Sequence, residues 1–324
     1  MIRRHPLKTL VVVLVVLVGL LTTAYVNRTT VPVPATAATQ PGESLVVVGL
    51  GGLSWDDVNA ADTPVLWGLL RDGSAASVSV RAVNPSTCPI DGWATVSAGE
   101  AAGLEAEPDA ASCTPLASVA GDPTAGWRVI GFDEIASASS GSVSRARLGL
   151  LGDSFEAAGT CVQAIGPGAG LAAATADGSV ARYTPFSATT LVSDLAQCPV
   201  TVVDVGALAA TESDPTRQIE RINEIERRVE QVIDAMPSGA DLLVASLADR
   251  DQQERLRLLA ATGPHYAPGL LASASTRMVG VAQLPDVTAT ILQRGGVLPE
   301  SPIGGRRLTV VGRGHDAHRA AAER

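Results

Sequence analysis

The sequence predicts an α/β fold: a mostly parallel central sheet with helices on both faces, preceded by one membrane-crossing helix. Three observations predict it. Short β-branched apolar runs alternate with helical stretches along most of the chain. Those runs are continuously apolar, as strands covered on both faces are. The first 30 residues also place Arg3, Arg4 and Lys8 before an unbroken apolar segment, Leu10 to Leu21.

Counting from Leu7 to Val26 gives about 20 residues, which at about 1.5 Å per residue covers a hydrocarbon core of roughly 30 Å. Residues 1–28 then comprise a cytoplasmic tip and a transmembrane signal-anchor, and the basic residues ahead of the segment predict export of everything after it, a single-pass arrangement in the cell membrane. Ala35 and Ala37 form a small-x-small pattern, so a cleaved signal peptide is the competing reading; the length of the apolar stretch favours an anchor. Residues 29–43 (TTVPVPATAATQPGE) have the Pro, Thr and Ala content of an extended linker. Residues 44–312 then form one large domain, and 313–324 a loose polar tail.

The elements follow in order. Ser44 to Gly49 (SLVVVG) reads as a buried strand ended by Gly51-Gly52. Thr63-Pro64 opens a helix that runs to Arg71 and stops at Asp72-Gly73. A strand over Ala76 to Val83 follows. The rhythm recurs with a strand over Trp127 to Phe132, a helix over Ala146 to Ala158 and a strand over Cys161 to Ile165. Thr201 to Val205 is a strand. Pro215 to Met236 is a helix, with Ile219, Ile222, Ile225, Val229, Val232, Ile233 and Met236 recurring at steps of three and four. Leu242 to Leu247 closes the unit as a third buried strand. Leu270 to Thr276, Asp286 to Leu292 and Ile303 to Val311 read as strand, helix and edge element.

The chain carries a net charge of −9. Four basic residues and no acidic one lie in the first 30, so about −13 falls on the exported part, which argues against nucleic acid as a partner. The four cysteines, Cys88, Cys113, Cys161 and Cys198, all lie on the exported side, where disulfides persist. Three pairings are open; nearness in sequence favours Cys88 with Cys113 and Cys161 with Cys198. The second bridge would tie the starts of two strands.

Asn84 to Gly99 (NPSTCPIDGWATVSAG) resembles the nucleophile segment of the alkaline phosphatase superfamily, in its nucleotide pyrophosphatase/phosphodiesterase branch. The glycine turn after the first strand, the end of the Leu242 to Asp249 stretch, and the segment containing DVTATIL (Asp286 to Leu292) are similar to that superfamily in the same order. The resemblance spans most of Ser44 to Leu308 and implies an alkaline phosphatase-like fold. It puts Thr87 at the nucleophile, with Asp91 placed to contact the same group or its metal. It also implies two divalent ions held by Asp and His, which activate the nucleophile and neutralise the phosphoryl group.

The sequence departs from that pattern at several ligands. Gly51-Gly52 stands where the family has Asp-Gly, and Ser246-Leu247-Ala248-Asp249 where it has Asp-His. Asp204 lies near the position of a middle Asp, with no histidine following within reach, and His265 matches the last His. His265 is the only histidine between the span and the tail, so a two-zinc site is not expected. Each candidate has a plainer reading: Thr87 as a strand-end hydroxyl in a local turn, Asp91 as a helix cap, His265 in GPHYAPG as a loop histidine.

The sequence therefore predicts a bacterial envelope protein, a degenerate member of the superfamily (a pseudoenzyme) acting as a binding or scaffolding module. Its partners would be the membrane, through the N-terminal helix, and a protein or phosphate-containing envelope ligand, with no cofactor. The alternative is an active phosphodiesterase or phosphatase that uses Thr87 with zinc or manganese held by Asp204, Asp249 and His265.

Overall fold

The structure is a computed structural model, and it describes residues 44–104, 113–140, 146–208, 214–250, 254–299 and 301–312. The predicted span, linker and tail lie outside the described residues. Among the described residues no helix is long and apolar enough to cross a membrane.

β1 (Leu45–Gly51) is followed by a 3-10 turn at Trp55–Asp57, α1 (Pro64–Asp72), β2 (Ser74–Ser79) and α2 (Pro89–Ala98). A hairpin of β3 (Val119–Asp122) and β4 (Gly126–Val129) leads to α3 (Phe132–Ser139), α4 (Leu150–Ala157), β5 (Val162–Ile165) and α5 (Pro167–Ala173). Next come β6 (Ser179–Val180), β7 (Tyr183–Thr184), α6 (Leu191–Asp194), β8 (Val200–Ala207), α7 (Pro215–Ala235) and β9 (Asp241–Ser246). The chain closes with β10 (Arg257–Thr262), β11 (Gly269–Ala272), β12 (Val281–Gln283), α8 (Leu284–Arg294) and β13 (Thr309–Val311).

Ten strands form the main sheet in the order β13-β11-β2-β10-β9-β1-β8-β5-β7, with β12 also paired to β2. β1 runs parallel to β8 and β9, β5 parallel to β8 and β7, and β11 and β12 parallel to β2. The exceptions are β10, antiparallel to both β9 and β2, and β13, antiparallel to β11. This is the mostly parallel sheet the sequence predicts.

Side chains of β1 alternate between two cores because successive residues of a strand face opposite ways. Leu45 and Val47 join Ile90 and Trp93 of α2, Leu171 of α5 and Val287 and Ile291 of α8. Val46, Val48 and Leu50 join Leu66 and Leu70 of α1 and Ile222, Ile225, Val229 and Val232 of α7. Helices therefore cover both faces, which explains the unbroken apolar character of the central strands. Trp93 reaches so deeply that a Cβ on Gly49 would lie 2.3 Å from its ring, and one on Gly168 at 2.0 Å.

Two regions differ from the sequence reading. The Trp127 to Phe132 stretch does not join the main sheet: β4 pairs with β3 and β6 in a separate three-stranded antiparallel sheet, and Phe132 opens α3. β2 ends at Ser79 instead of Val83, because the chain turns there to bring Thr87 back over the sheet edge. Two disulfides are present, Cys88–Cys113 and Cys161–Cys198, with Cα separations of 5.4 and 5.5 Å. The second joins the starts of β5 and β8.

Candidate functional site

In open α/β sheets the crevice at the carboxyl ends of parallel strands is where ligands bind. Here that edge is formed by the ends of β1, β8 and β9, and three of the predicted residues approach it: Thr87, Asp204 and Asp249. Asp249 lies just past β9. Its N–H donates to the Thr87 carbonyl at 2.8 Å, and the Thr87 N–H donates to Asp249 Oδ2 at 3.0 Å. Thr87 and Asp249 are thus in direct, reciprocal contact.

The Thr87 hydroxyl is buried and engaged on both sides. It donates to the Val80 carbonyl at 2.8 Å and accepts from the Ala82 N–H at 3.2 Å. These bonds close the turn between β2 and α2. Cys88 is the N-cap residue of α2, and Asp91 stands at its third position, where Oδ2 accepts the Cys88 N–H at 3.1 Å. Asp91 Oδ1 accepts the Leu104 N–H at 2.9 Å. Burial pushes the Asp91 carboxyl up to about 6, against the pull of those two N–H groups.

Asp204, near the end of β8, points both oxygens at backbone: Oδ2 accepts from Gly168 and Oδ1 from Gly206, each at 2.8 Å. Burial raises its pKa, and the two N–H donors oppose the shift. His265 is elsewhere. Its Nδ1 lies 2.8 Å from Asp241 Oδ2, and its N–H donates to Asp241 Oδ1 at 3.0 Å. Asp241 is the first residue of β9, so His265 sits at the amino end of the strand whose carboxyl end leads to Asp249. Five steps of about 3.3 Å from Asp241 to Ser246 separate those ends by roughly 17 Å.

Two arginines that the sequence pattern does not single out complete this edge. Arg257 opens β10, and because β10 runs antiparallel to β9 its first residue returns to the edge where β9 ends. Its Nε and Nη2 donate to Asp249 Oδ1 at 3.0 and 2.9 Å, and both side chains are almost wholly buried. Beside it, Arg250 Nη1 donates to both Asp57 oxygens, at 2.9 and 3.1 Å. The signal that could have found Arg257 is a lone arginine at the head of a buried-strand pattern, LRLLAAT, where a charge needs a partner.

A cavity of about 220 Å³ opens above Asp249, lined by Ser79, Arg81, Pro85, Glu254 and Arg255. A second, of about 280 Å³, is lined by Arg217, Arg221 and Arg250. A larger one, of about 840 Å³, lies away from this edge between the small sheet and α4.

The donor set does not fit the pair of divalent ions that the family resemblance implies. At Gly51 a Cβ would meet the Ala207 Cβ at 2.6 Å, so no carboxylate can occupy that position without a shift of β8. Both oxygens of Asp91, Asp204 and Asp249 already accept hydrogen bonds, and His265 is at the far end of β9. Among the described residues, no three His, Cys, Asp or Glu side chains converge as a metal set requires.

Fold and edge together define a protein built on a mostly parallel sheet covered on both faces, with its crevice at the strands' carboxyl ends. No protein-family model matches the sequence, and no curated protein matches it. Among solved structures the chain is similar to murine ectonucleotide pyrophosphatase/phosphodiesterase 5, at 15% identity and a TM-score of 0.39 over 63% of this chain and 56% of that one. It is also similar to a 2-O GAG sulfatase, at 11% identity and a TM-score of 0.45 over 82% and 73%. A third is the PH0037 protein from Pyrococcus horikoshii, at 10% and 0.48 over 80% and 99%. The chain spans little more than half the length of the first of these.

Proposed function

We propose that this chain is a membrane-anchored, extracytoplasmic domain of alkaline phosphatase-like fold that serves as a binding or scaffolding module and not as a metal-dependent hydrolase. The observation that carries this reading is the state of the Thr87 hydroxyl. A hydroxyl nucleophile needs an adjacent base or a metal to take its proton. The Thr87 hydroxyl donates its hydrogen bond to the Val80 carbonyl, which is no base, and its oxygen in turn accepts the Ala82 N–H. The carboxylates are equally committed: Asp91 and Asp204 to backbone donors, and Asp249 to the Thr87 N–H and the Arg257 guanidinium.

One observation favours the second reading, a phosphodiesterase or phosphatase with Thr87 as nucleophile: Thr87 directly precedes the amino end of α2, and the positive end of a helix dipole favours a phosphate. One experiment separates the two. The full chain is purified without chelator, its metal content is measured by elemental analysis, and hydrolysis of bis(p-nitrophenyl) phosphate is assayed with added zinc or manganese. The module reading expects no stoichiometric metal and a rate equal to that of Thr87→Ala. Tightly bound metal together with hydrolysis that disappears in Thr87→Ala would establish the hydrolase instead.

A further inference from the structure

The misfit between the donor set and a metal pair has a specific occupant. Arg257 is the largest of the fully buried side chains, and a buried guanidinium is tolerated only when paired. Its partner, Asp249, is nearly as buried. Asp249 divides its two oxygens: Oδ1 takes both guanidinium N–H groups, and Oδ2 takes the N–H of Thr87. The cation, the carboxylate and the turn carrying the candidate nucleophile thus form one connected unit.

We propose that the Arg257 guanidinium is the resident cation of this strand-end site. It supplies from within the chain the positive charge that divalent ions supply in metal-dependent relatives of the fold, and it withholds Asp249 from metal coordination. Its fork shape matters as well as its charge: two N–H groups converge on one oxygen, leaving the other for Thr87, which a compact ammonium does not reproduce. Arg257 is therefore a positioning residue that holds the Thr87 turn through Asp249. The proposal rests on the metal-free reading above, and the experiment below keeps the failure of one distinct from the failure of the other.

The test is thermal unfolding of the full chain and of Arg257→Ala, with and without added cations. Wild-type protein is expected to unfold at the same temperature with EDTA, zinc or manganese. Removing one member of a buried ion pair is expected to lower the midpoint of Arg257→Ala by about 10 °C. Ethylguanidinium at millimolar concentration, which fits the vacated space, restores part of that loss in the variant, leaves wild type unchanged, and outperforms ethylammonium. A purely packing role for Arg257 gives no such selectivity, so equal effects of the two cations would overturn the proposal, as would a variant as stable as wild type. Should Arg257→Ala fail to fold, the double variant Asp249→Asn/Arg257→Met is measured instead. It removes both charges, and it is expected to fold and to be more stable than Asp249→Asn alone; a double variant no better than the single one overturns the proposal. Zinc or manganese stabilising the wild type would sink the metal-free reading, whereas a metal-indifferent wild type with no guanidinium rescue would sink only the role of Arg257.

Discussion

At each end of β9 a buried aspartate meets a buried arginine, and the surroundings of the two pairs differ. At the carboxyl end Asp249 has Arg257 and the backbone N–H of Thr87. At the amino end Asp241 has Arg294 Nη2 at 2.6 Å, His265 Nδ1 at 2.8 Å and the His265 N–H at 3.0 Å. One end buries a guanidinium against Asp249, at the edge where ligands bind in such folds. The other gathers two side chains, Arg294 and His265, on one carboxylate at the edge where ligands do not. The fold therefore keeps the one histidine among the described residues as support for a structural carboxylate, remote from Thr87.

That contrast can be broken from either end. After Arg257→Ala at the carboxyl end, the largest effect is expected at the amino end from Arg294→Met, which leaves Asp241 partly compensated by His265. It should cost about 3 kcal/mol in urea unfolding, the low end for a broken buried pair. A loss as large as that of Arg257→Ala would mean that His265 shares none of the load.

A smaller effect is expected from Asp91→Ala, which removes the acceptor for the Cys88 and Leu104 N–H groups and should cost about 1–2 kcal/mol at neutral pH. The pH dependence sharpens it. Native Asp91 titrates at about 6, above the ordinary value of 3.8, so the folded state holds the proton more tightly than the unfolded chain. The stabilising contribution of protonation is complete below the ordinary value and is lost as pH rises through about 6. Unfolding measured between pH 7 and pH 4 should therefore show wild type gaining on Asp91→Ala as pH falls; parallel curves would place the carboxyl in a wetter setting.

The smallest effect is expected from His265→Ala, about 1 kcal/mol, because its ring is partly exposed and Arg294 remains on Asp241. Metal content and any hydrolysis should not change. Metal bound by the wild type and lost in this variant would place a metal site at the amino edge.

Much of the architecture is legible in the residues. Runs such as Leu45 to Val48 and Thr201 to Val205 announce strands covered on both sides, and the three-and-four spacing of Ile222, Ile225, Val229 and Val232 announces α7. β10 escapes the pattern: LRLLAAT is short, carries an arginine and lies among turn residues. The Trp127 segment belongs to a different sheet from the one its pattern suggests, since periodicity within a strand does not say which strand it will pair with. At the candidate site, Thr87, Asp204 and Asp249 stand out by type and order. Their partners do not, because a hydrogen bond between Thr87 and Asp249 or between Asp204 and Gly168 depends on topology alone.

The reversed direction of β10 also bears on the order in which the molecule assembles. Asp249 and Arg257 are only eight residues apart, so bringing them together closes a short loop at little entropic cost. Asp241 and His265 are 24 residues apart, and Arg294 arrives only with α8, near the end of the chain. Contacts between near neighbours form earlier than contacts across a long stretch of chain. Asp249–Arg257 is therefore the local contact of the crevice edge, whereas the Thr87–Asp249 bond of the same edge spans 162 residues and needs the sheet in place.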